Sequence, residues 1–513
     1  MTLNATPDLD AFGQGYRAGR TQVVWTRLID DLETPVSAFL KLGHGRPFSF
    51  LFESVEGGAW RGRYSIVALK PDLVWRCFGP SAETAEGAEA VAAGRYRADA
   101  RPALESLRAL VAENRFDLPA GLPPMAAGLF GVLGYDMIRL FEPVGPAKPD
   151  LLGLPDAVMM RPSVVAVFDS IAQEILVCTP VRPAPGVAPE AAYQAAVARL
   201  AETEADLRRP LAGPAAARAP HAQEPPASPV SRQDYGRIVE RAKGYIAAGD
   251  IFQVVPSHRF RARFDLDPLA FYRSLRRLNP SPFLFYLNFG GFQLAGSSPE
   301  ILVRYRDDKV TIRPIAGTRP RGATPEQDAE NERELLADPK ERAEHLMLLD
   351  LGRNDVGRAV MLNDAQRNAP PTGPRVKVTE SFKIERYSTV MHIVSNVEGV
   401  GPPEGLDPVD VILTALPAGT LSGAPKVRAM QIIDELEREK RGLAYAGAAG
   451  YISANGSVDT CIVLRTALFK DGMMYVQGGG GVVADSDPDA EYEETLHKTR
   501  ALRRAAEEAW RFR

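Results

Sequence analysis

Short apolar runs, separated by glycine, proline and aspartate, make up most of the first part of the chain. These runs are rich in β-branched and aromatic residues, as strands usually are. The pattern predicts strands in TQVVWTRLI, PFSFLFES, PDLVWRCFG, SVVAVFDS and EILVCTP. Between them, ARPALESLRALVAENR has the apolar spacing of an amphipathic helix.

The composition changes between residues 181 and 231, where alanine, proline, glutamate and arginine dominate. PEAAYQAAVARLAETEADLRR predicts a helix, and the following PLAGPAAARAPHAQEPPASPVS has too few large apolar side chains to order itself. We therefore expect a domain at residues 20–180, a helix and linker at 181–231, and a second domain at 232–513.

The second region mixes helical and strand patterns. RQDYGRIVERAKGYIAAG predicts a helix, and strands are predicted in SPFLFYLNFGGFQLAGSSPEILVRYR, STVMHIVSNVEG, AGAAGYISANGSVDTCIVLRTALFK and MMYVQGGGGVV. Several strands follow one another through glycine and asparagine turns, which favours antiparallel pairing over β–α–β units. The predicted fold class is α/β of the α+β type, mainly antiparallel sheets forming a sandwich with helices packed outside.

Composition and charge exclude several classes of protein. The 513 residues include 61 Lys and Arg against 65 Asp and Glu, a formal charge of −4 that favours neither a nucleic acid nor a membrane as partner. No apolar run approaches the roughly 20 residues of a membrane span, and the N-terminus lacks the pattern of a secretion signal. Three scattered cysteines suit neither a disulfide framework nor a zinc site. We expect a cytoplasmic protein.

Two acidic segments are the first candidates for chemistry. In DPKERAEHLMLLDL, Asp338 and the proline after it predict a helix start, with Glu341 as the capping-box acid. Glu344 lies one turn further on the same face. Leu346 to Leu349 are apolar, so we expect this face to point inward.

The same construction recurs in DSDPDAEYEETLHK, where Asp487 precedes a proline and Glu491 and Glu494 stand three residues apart. Two such helices could direct their carboxylates at one Mg²⁺, a cation that prefers oxygen ligands and keeps several waters. The alternative is two independent capped helices with surface pairs such as Glu494–Lys498.

Further candidates lie on strands and turns. His392 alternates with apolar residues of a predicted strand, where a satisfied core histidine is the usual explanation. The turn at Gly419–Ser422 lacks the ending of a phosphate loop. The glycines of QGGGGVV would let backbone N–H groups approach an anion, and Arg465 stands alone among strand apolars, where it requires a carboxylate from protein or ligand. These features indicate a site for a small polyanion with Mg²⁺.

Many motifs, in a fixed order, then resemble one family. They are PIAGTRPRG, KERAEHLMLLDLGRNDVGR, YSTVMHIVSNVEG, GTLSGAPKVRAM, YAGAAGY, VLRTA, GGGGVVADSDPDAEYEET and LHKTRA. Together they resemble the chorismate-utilising enzymes, and more closely the large, ammonia-using components of anthranilate synthases. The likeness covers nearly all of residues 232–505, and LFESVEGGAWRGRYSIVA and GLFGVLGYDMIR are similar to the family's N-terminal regulatory domain.

The resemblance implies roles for individual residues. Mg²⁺ would be bound directly by Glu344 and Glu494 and supported through water by Glu341 and Glu491. Chorismate would be bound by Gly317, Thr318, Tyr445, Arg465, Gly479, Gly480, Gly481 and Lys498. His392 and Thr420 would lie near the departing 4-hydroxyl, His392 would also serve the later elimination, and Glu300 is the candidate general acid. Tryptophan would be bound, as feedback inhibitor, by Glu53, Ser54, Pro282, Phe283 and Leu284.

Two positions separate the subfamilies. Relatives that add water to chorismate carry a lysine base where this chain has Gln253, and a neutral amide cannot deprotonate water. Relatives that make 4-amino-4-deoxychorismate often carry a nucleophilic lysine where this chain has Ala316. The resemblance therefore implies amination at C2 by ammonia, followed by pyruvate elimination to anthranilate.

The ammonia requires a source. No cysteine of the chain stands in the Gly-x-Cys-x-Gly elbow of a class I glutaminase, which implies a separate amidotransferase subunit and a hetero-oligomer. The alternatives are a 4-amino-4-deoxychorismate synthase, an aminodeoxyisochorismate synthase, and a non-catalytic sensor of chorismate or tryptophan.

Overall fold

The computed structural model describes residues 4–54, 62–211, 224–367, 375–387, 390–402 and 405–512, and for residues 362–367 the backbone alone. The helices are α1 (Leu9–Arg17), α2 (Pro35–Leu42), α3 (Ala88–Ala92), α4 (Ala103–Glu113), α5 (Pro189–Leu207), α6 (Arg232–Ala247), α7 (Pro268–Leu278), α8 (Pro325–Ala337), α9 (Pro339–Arg367), α10 (Pro408–Ala415), α11 (Lys426–Leu436) and α12 (Pro488–Glu508).

The N-terminal strands are β1 (Gln22–Ile29), β2 (Ser49–Glu53), β3 (Tyr64–Phe78), β4 (Ser81–Glu86), β5 (Arg97–Pro102), β6 (Gly128–Leu133), β7 (Ala157–Asp169) and β8 (Glu174–Val181). The later strands are β9 (Gln253–Val254), β10 (Ser257–Arg263), β11 (Phe283–Asn288), β12 (Gln293–Ser298), β13 (Ile301–Arg306), β14 (Lys309–Ile312), β15 (Ile315–Pro320), β16 (Val376–Arg386), β17 (Val390–Val400), β18 (Gly423–Ala424), β19 (Ala448–Ser453), β20 (Val458–Ile462), β21 (Thr466–Lys470) and β22 (Met473–Gly479). Each segment predicted as a helix or strand contains the corresponding element.

One continuous sheet joins the two halves of the chain. Its strands pair antiparallel, and the short β9–β18 pair stands apart from it. Leu284 of β11 lies opposite Glu53 of β2, and Gly450 of β19 lies opposite Gly131 of β6. Strands from residues 20–180 and 232–513 therefore share one ladder of hydrogen bonds, and the division into a regulatory and a catalytic domain stays a prediction.

Apolar side chains form layers on both faces of the curved sheet. One core consists mostly of strand residues facing each other, such as Phe50, Val165, Phe285 and Leu468. A second core packs α1, α2, α5, α7 and α12 against the sheet, and a third packs α4, α6, α9, α10 and α11. The predicted antiparallel sandwich with helices outside is confirmed.

The connection between the halves is described in part. The predicted helix is α5, and residues 212–223, the centre of the predicted linker, lie outside the described residues. After them, Ala227 pairs with Arg261 of β10. Within the described ranges, no helix combines the length and apolarity needed to cross a membrane.

A buried ion pair fixes α9 to α11. The Lys426 ammonium donates to both carboxylate oxygens of Asp355 at 2.6 and 2.7 Å, and both side chains are about 5% exposed. Gly419 precedes α11 and packs against Leu351 of α9, so the pair holds the loop containing Thr420 in place beside the helix containing Glu341 and Glu344.

Replacing Asp355 with alanine leaves the Lys426 ammonium buried without its partner. We expect a loss of about 3–5 kcal/mol in the free energy of unfolding, the usual cost of breaking a buried pair. The control Arg353→Met removes an exposed pair with Asp350 on the same helix and should cost at most about 1 kcal/mol. Urea unfolding followed by circular dichroism measures both, and equal losses would contradict the prediction.

Candidate active site

Two helices begin beside each other with the predicted acidic turns. α9 begins at Pro339, and the Asp338 side chain accepts a hydrogen bond from Lys340 N–H at 2.9 Å. α12 begins at Pro488, and Asp487 accepts from Ala490 N–H at 2.9 Å. The predicted N-caps are therefore formed, and the positive ends of two helix dipoles lie under the carboxylates of the following turns.

The predicted capping box at Glu341 is wrong. The Asp338 N–H donates to the Glu334 carbonyl at 3.0 Å, because Asp338 also ends α8. Glu341 instead accepts a hydrogen bond from Arg319 Nη1 at 3.0 Å, and Arg319 Nη2 donates to the Asp338 carboxylate at 2.9 Å. Arg319 thus links the start of α9 to β15.

The apolar residues of α9 that were expected to face inward do so only in part. Leu348 and Leu349 are buried, whereas Leu346 is 58% exposed. Since Leu346 follows Glu344 by two positions, it projects from another side of the helix. Glu344 itself is partly buried.

The four glutamates influence one another across the two helices. Burial raises the pKa of Glu344, and the charges of Glu341 and Glu494 raise it further. Burial also raises the pKa of Glu491, with a contribution from Glu494. An electrostatic influence between carboxylates of different helices indicates that the two Glu-x-x-Glu segments lie near each other.

The donor set fits a hard cation. Within the described ranges, no three acidic, histidine or cysteine side chains form a ready-made metal cage. Mg²⁺ does not require one, because it binds one or two carboxylates and retains waters. Glu491 Oε2 is buried without a hydrogen-bond partner among the described residues, and its Oε1 accepts from Ser486 at 2.7 Å. A cation bound among these mutually repelling carboxylates would satisfy the unpaired oxygen of Glu491.

A lysine of α12 neutralises part of this charge. Lys498 Nζ lies 2.6 Å from Glu494 Oε1 and donates to the Gly479 carbonyl at 3.0 Å. The surface pair named as the alternative for α12 is therefore formed, and it lies at the same place as the carboxylate cluster.

The glycine row after β22 lets side chains approach closely. A Cβ at Gly479 would lie 2.9 Å from the Tyr445 hydroxyl, one at Gly480 would lie 2.5 Å from Glu491 Oε2, and one at Gly481 would lie 2.4 Å from Gln253 Nε2. Any larger residue would displace these groups.

The backbone of the glycine row differs from the prediction at one point. The Gly480 N–H, proposed as an anion donor, donates to the Tyr235 hydroxyl at 3.3 Å. Tyr235 is fully buried, and its hydroxyl donates to the Pro256 carbonyl at 3.1 Å. Tyr235 therefore supports the glycine row from the side of α6.

Glu300 and Thr420 are in contact. The Thr420 hydroxyl lies 3.3 Å from both carboxylate oxygens of Glu300, and Glu300 is 9% exposed. Burial raises the pKa of Glu300 to about 8, although Thr420 and the charge of Arg465 oppose the rise. At neutral pH the carboxyl is therefore mostly protonated and able to donate a proton.

The surroundings of His392 favour its neutral imidazole form. Its Nδ1 lies 3.0 Å from the Gly317 carbonyl and 3.0 Å from the Thr318 hydroxyl. Since the carbonyl can only accept, Nδ1 carries the proton and Nε2 keeps its lone pair. Burial lowers the pKa of His392, as does the nearby positive charge of Arg465.

The backbone conformation at position 317 favours glycine. Its φ is +69°, and a Cβ would lie 3.1 Å from Glu341 Oε2. The predicted substrate loop thus touches the carboxylate cluster.

Arg465 has no carboxylate within 4 Å among the described residues, although the charge of Glu300 acts on it. Burial lowers its pKa, and its φ of +47° is unusual outside glycine. A partly buried guanidinium that has no ion pair with the described residues is available to an anionic ligand.

The predicted tryptophan-binding residues line one cavity of the sheet. They are Glu53, Ser54, Pro282, Phe283 and Leu284. Both oxygens of Glu53 already accept hydrogen bonds, Oε2 from the Tyr272 hydroxyl and Arg276 Nε and Oε1 from Arg276 Nη2. The cavity lies where β2 pairs with β11, so both halves of the chain form it.

Sequence reasoning missed Arg319 and Tyr235. Arg319 lies two residues after Gly317, but its partner Glu341 is 22 positions away and no spacing rule connects them. Tyr235 reads as an apolar position of α6 and gives no signal of its contact with Gly480.

Comparison with known proteins shows which family the chain belongs to. The family model for the chorismate binding enzyme matches residues 50–504. Anthranilate synthase component 1 of Cereibacter sphaeroides is 55% identical over 512 residues, covering 98% of both chains. Anthranilate synthase component 1 of Pseudomonas aeruginosa is 46% identical, covering 93% of both chains.

Solved structures agree with these relatives. Anthranilate synthase component I from Streptococcus pneumoniae superposes with a TM-score of 0.73 at 33% identity, over 93% of this chain and 98% of that chain. The menaquinone-specific isochorismate synthase of Escherichia coli superposes with a TM-score of 0.66 at 20% identity, over 95% of this chain and 94% of that chain, a likeness of fold alone. The chain belongs to the chorismate binding enzyme family.

Proposed function

We propose that the chain is the large component of an anthranilate synthase. It would convert chorismate and ammonia into anthranilate, pyruvate and water, the first reaction committed to tryptophan. The observation that carries the proposal is that Glu300, His392 and Arg465 lie close to four carboxylates, in surroundings that raise the pKa of Glu300 and lower that of His392. A non-catalytic sensor would need neither the acid nor the base.

The first step adds ammonia at C2 and expels the 4-hydroxyl. Ammonia supplies its own lone pair, so the neutral Gln253 beside the glycine row suffices where a water-adding enzyme requires a base. The departing hydroxyl must gain a proton, and Glu300 with its contacting Thr420 is the group that holds one at neutral pH. Ala316 offers no nucleophile, so amination is direct.

The second step removes pyruvate and aromatises the ring. The proton at C2 must be taken by a base, and His392 has its lone pair at Nε2 because Nδ1–H is bound by Gly317. Arg465 would bind the enolpyruvyl carboxylate. Thr318, Tyr445 and the backbone of Gly479 and Gly481 would hold the rest of the substrate, since the Gly480 N–H already donates to Tyr235. Burial in a low-dielectric site strengthens each of these contacts.

Mg²⁺ would be held by Glu344 and Glu494, with Glu341 and Glu491 supporting it through water. When bound, it would neutralise the ring carboxylate of chorismate. Lys498 would then be released from Glu494 to face the same anion.

Ammonia would come from a separate glutamine amidotransferase. Cys77, Cys178 and Cys461 are buried and free. Burial raises the pKa of Cys77 and of Cys178 to about 12, so neither thiol is a thiolate at neutral pH. Glutamine hydrolysis by this chain is therefore disfavoured, and a hetero-oligomer follows. Free buried thiols also suit the reducing cytoplasm.

Tryptophan would inhibit by binding the cavity between β2 and β11. The cavity combines aromatic and aliphatic walls with charged side chains, as an aromatic amino acid requires. In this arrangement residues 20–180 would supply the regulatory part and residues 232–513 the catalytic part.

The products distinguish this function from its relatives. With chorismate, Mg²⁺ and ammonium, we expect anthranilate fluorescence and one pyruvate per anthranilate, because amination and elimination occur in one site. Glutamine in place of ammonium should give no product without a partner. An aminated product without pyruvate would instead indicate one of the two aminodeoxy synthases.

Removing one ligand charge should abolish metal binding and activity together. We expect Glu344→Gln and Glu494→Gln each to lower kcat/KM by about 100-fold or more, since a charged ligand of the proposed metal is lost, and to weaken Mg²⁺ binding in calorimetry. Circular dichroism should show an intact fold. The control Glu493→Gln on α12 breaks a pair with Arg232 outside the cluster, and an equal loss there would refute the assignment.

Activity should depend on the proton of Glu300. Because the acid form is required, kcat/KM should fall as pH rises through about 8, the pKa that burial gives this carboxyl. Glu300→Gln should lower the rate by about 100-fold or more, the usual contribution of a general acid, and its residual activity should lose that decline. The same decline in the variant would assign it to another group.

A further inference from the structure

Strand pairing places three polar side chains on one face of the β16–β17 pair. Glu385 of β16 lies opposite His392 of β17. Tyr387 stands two positions after Glu385, just beyond the end of β16, and therefore projects from the same face. Tyr387 and Glu385 thus lie on the side of the sheet that carries the proposed base.

The Tyr387 ring packs against the His392 imidazole. The two ring centroids are 5.5 Å apart and the ring planes meet at 65°, an edge-to-face arrangement. The contacts of His392 with the Gly317 carbonyl and the Thr318 hydroxyl both meet the ring at one atom, Nδ1. Because the imidazole torsion is broad on its own, a contact at one atom leaves the ring free to tilt. The Tyr387 ring supplies the second contact that fixes where Nε2 points.

Tyr387 is itself anchored at three atoms. Its N–H donates to the Val390 carbonyl at 2.8 Å. Its carbonyl accepts from Arg321 Nη1 at 2.8 Å, and its hydroxyl donates to Glu385 Oε2 at 2.9 Å. Glu385 Oε1 in turn accepts from Arg313. A ring held at its backbone and at its hydroxyl gives the imidazole a fixed surface to pack against.

The segment that binds Nδ1 of His392 also anchors Tyr387. The Gly317 carbonyl of β15 accepts the proton of His392, and Arg321, one residue beyond β15, reaches the Tyr387 carbonyl. Arg321 is fixed by Asp328 of α8, which accepts from Nε at 2.8 Å and from Nη2 at 2.9 Å. Both supports of the imidazole therefore depend on residues 317–321.

We propose that Tyr387 is a positioning residue for His392 in the second step of the reaction. The inference rests on the proposed function, in which His392 Nε2 takes the proton from C2. The Tyr387 ring keeps Nε2 directed at that proton. It takes no part in the first step, in which ammonia attacks and Glu300 protonates the departing hydroxyl. A misdirected base slows proton transfer steeply, because the transfer requires close approach and alignment.

The products formed from chorismate, Mg²⁺ and ammonium test this role. Tyr387→Leu removes the ring and should lower the rate of anthranilate formation by about 10-fold or more, while chorismate consumption stays within about threefold of its original rate. The aminated intermediate should then be released without its pyruvate. Tyr387→Phe keeps the ring and should form anthranilate within about threefold of the unaltered rate.

Deuterium at C2 of chorismate gives an independent measurement. If proton transfer to His392 is the step that Tyr387→Leu slows, anthranilate formation by this variant should be more sensitive to deuterium than that of the unaltered chain. A merely structural role of Tyr387 would slow both steps together and leave the sensitivity to deuterium unchanged.

Arg386→Met is the matched control. Arg386 directly precedes Tyr387 and projects from the opposite face, where it pairs with Glu332 and Asp328 of α8. This variant should leave the ratio of released intermediate to anthranilate unchanged. Equal release of intermediate by Arg386→Met, or an unaltered ratio in Tyr387→Leu, would overturn the inference.

Two further observations keep the outcome clear. Circular dichroism would confirm that each variant is folded, and should Tyr387→Leu not fold, Tyr387→Thr removes the ring with a residue that suits a strand and decides the question alone. If the unaltered chain forms no anthranilate, the proposed function itself is wrong.

Discussion

Repulsion among four carboxylates at the starts of α9 and α12 is the constraint on which the active site depends. Glu341, Glu344, Glu491 and Glu494 would not converge unless something offset their charges. Both helix N-termini contribute partial positive charge. Arg319 pairs with Glu341 and Lys498 with Glu494, so the chain supplies two cations and leaves Glu344 and Glu491 with raised pKa values. The remaining negative charge is what would attract the proposed Mg²⁺.

A second constraint acts on Glu300 and His392, because burial raises the pKa of an acid and lowers the pKa of a base. Desolvation disfavours every charged form, so it keeps Glu300 protonated and His392 neutral. The same loss of water would strengthen anion binding by Arg465, for which the described residues provide no ion pair. Partial or complete burial would thus prepare the proposed acid, base and anion site together.

The parts of this arrangement that depend on local pattern could be predicted from the sequence. Asp-Pro dipeptides start α9 and α12, and apolar alternation places His392 in β17. The error at Glu341 shows the limit, because a capping box is a local rule and Arg319 overrides it from β15. Likewise, whether Gly480 offers its N–H depends on Tyr235, more than 200 positions away. Contacts between residues far apart in the sequence produce no recognisable spacing pattern along the chain.

The shared sheet gives the two proposed sites a common framework. β13 begins beside Glu300 and ends with Arg304 and Arg306 in the cavity. β20 runs the other way, from Asp459 in the cavity to Ile462, whose N–H donates to the Glu300 carbonyl at 3.0 Å. Because the strands are hydrogen-bonded to each other, they cannot shift at one end without disturbing the other. A ligand that binds one arrangement of these strands better than another therefore also selects the position of the Glu300 backbone. Under the proposed regulation, a cavity ligand would need no contact with chorismate, only a preference for a strand arrangement in which Glu300 is displaced.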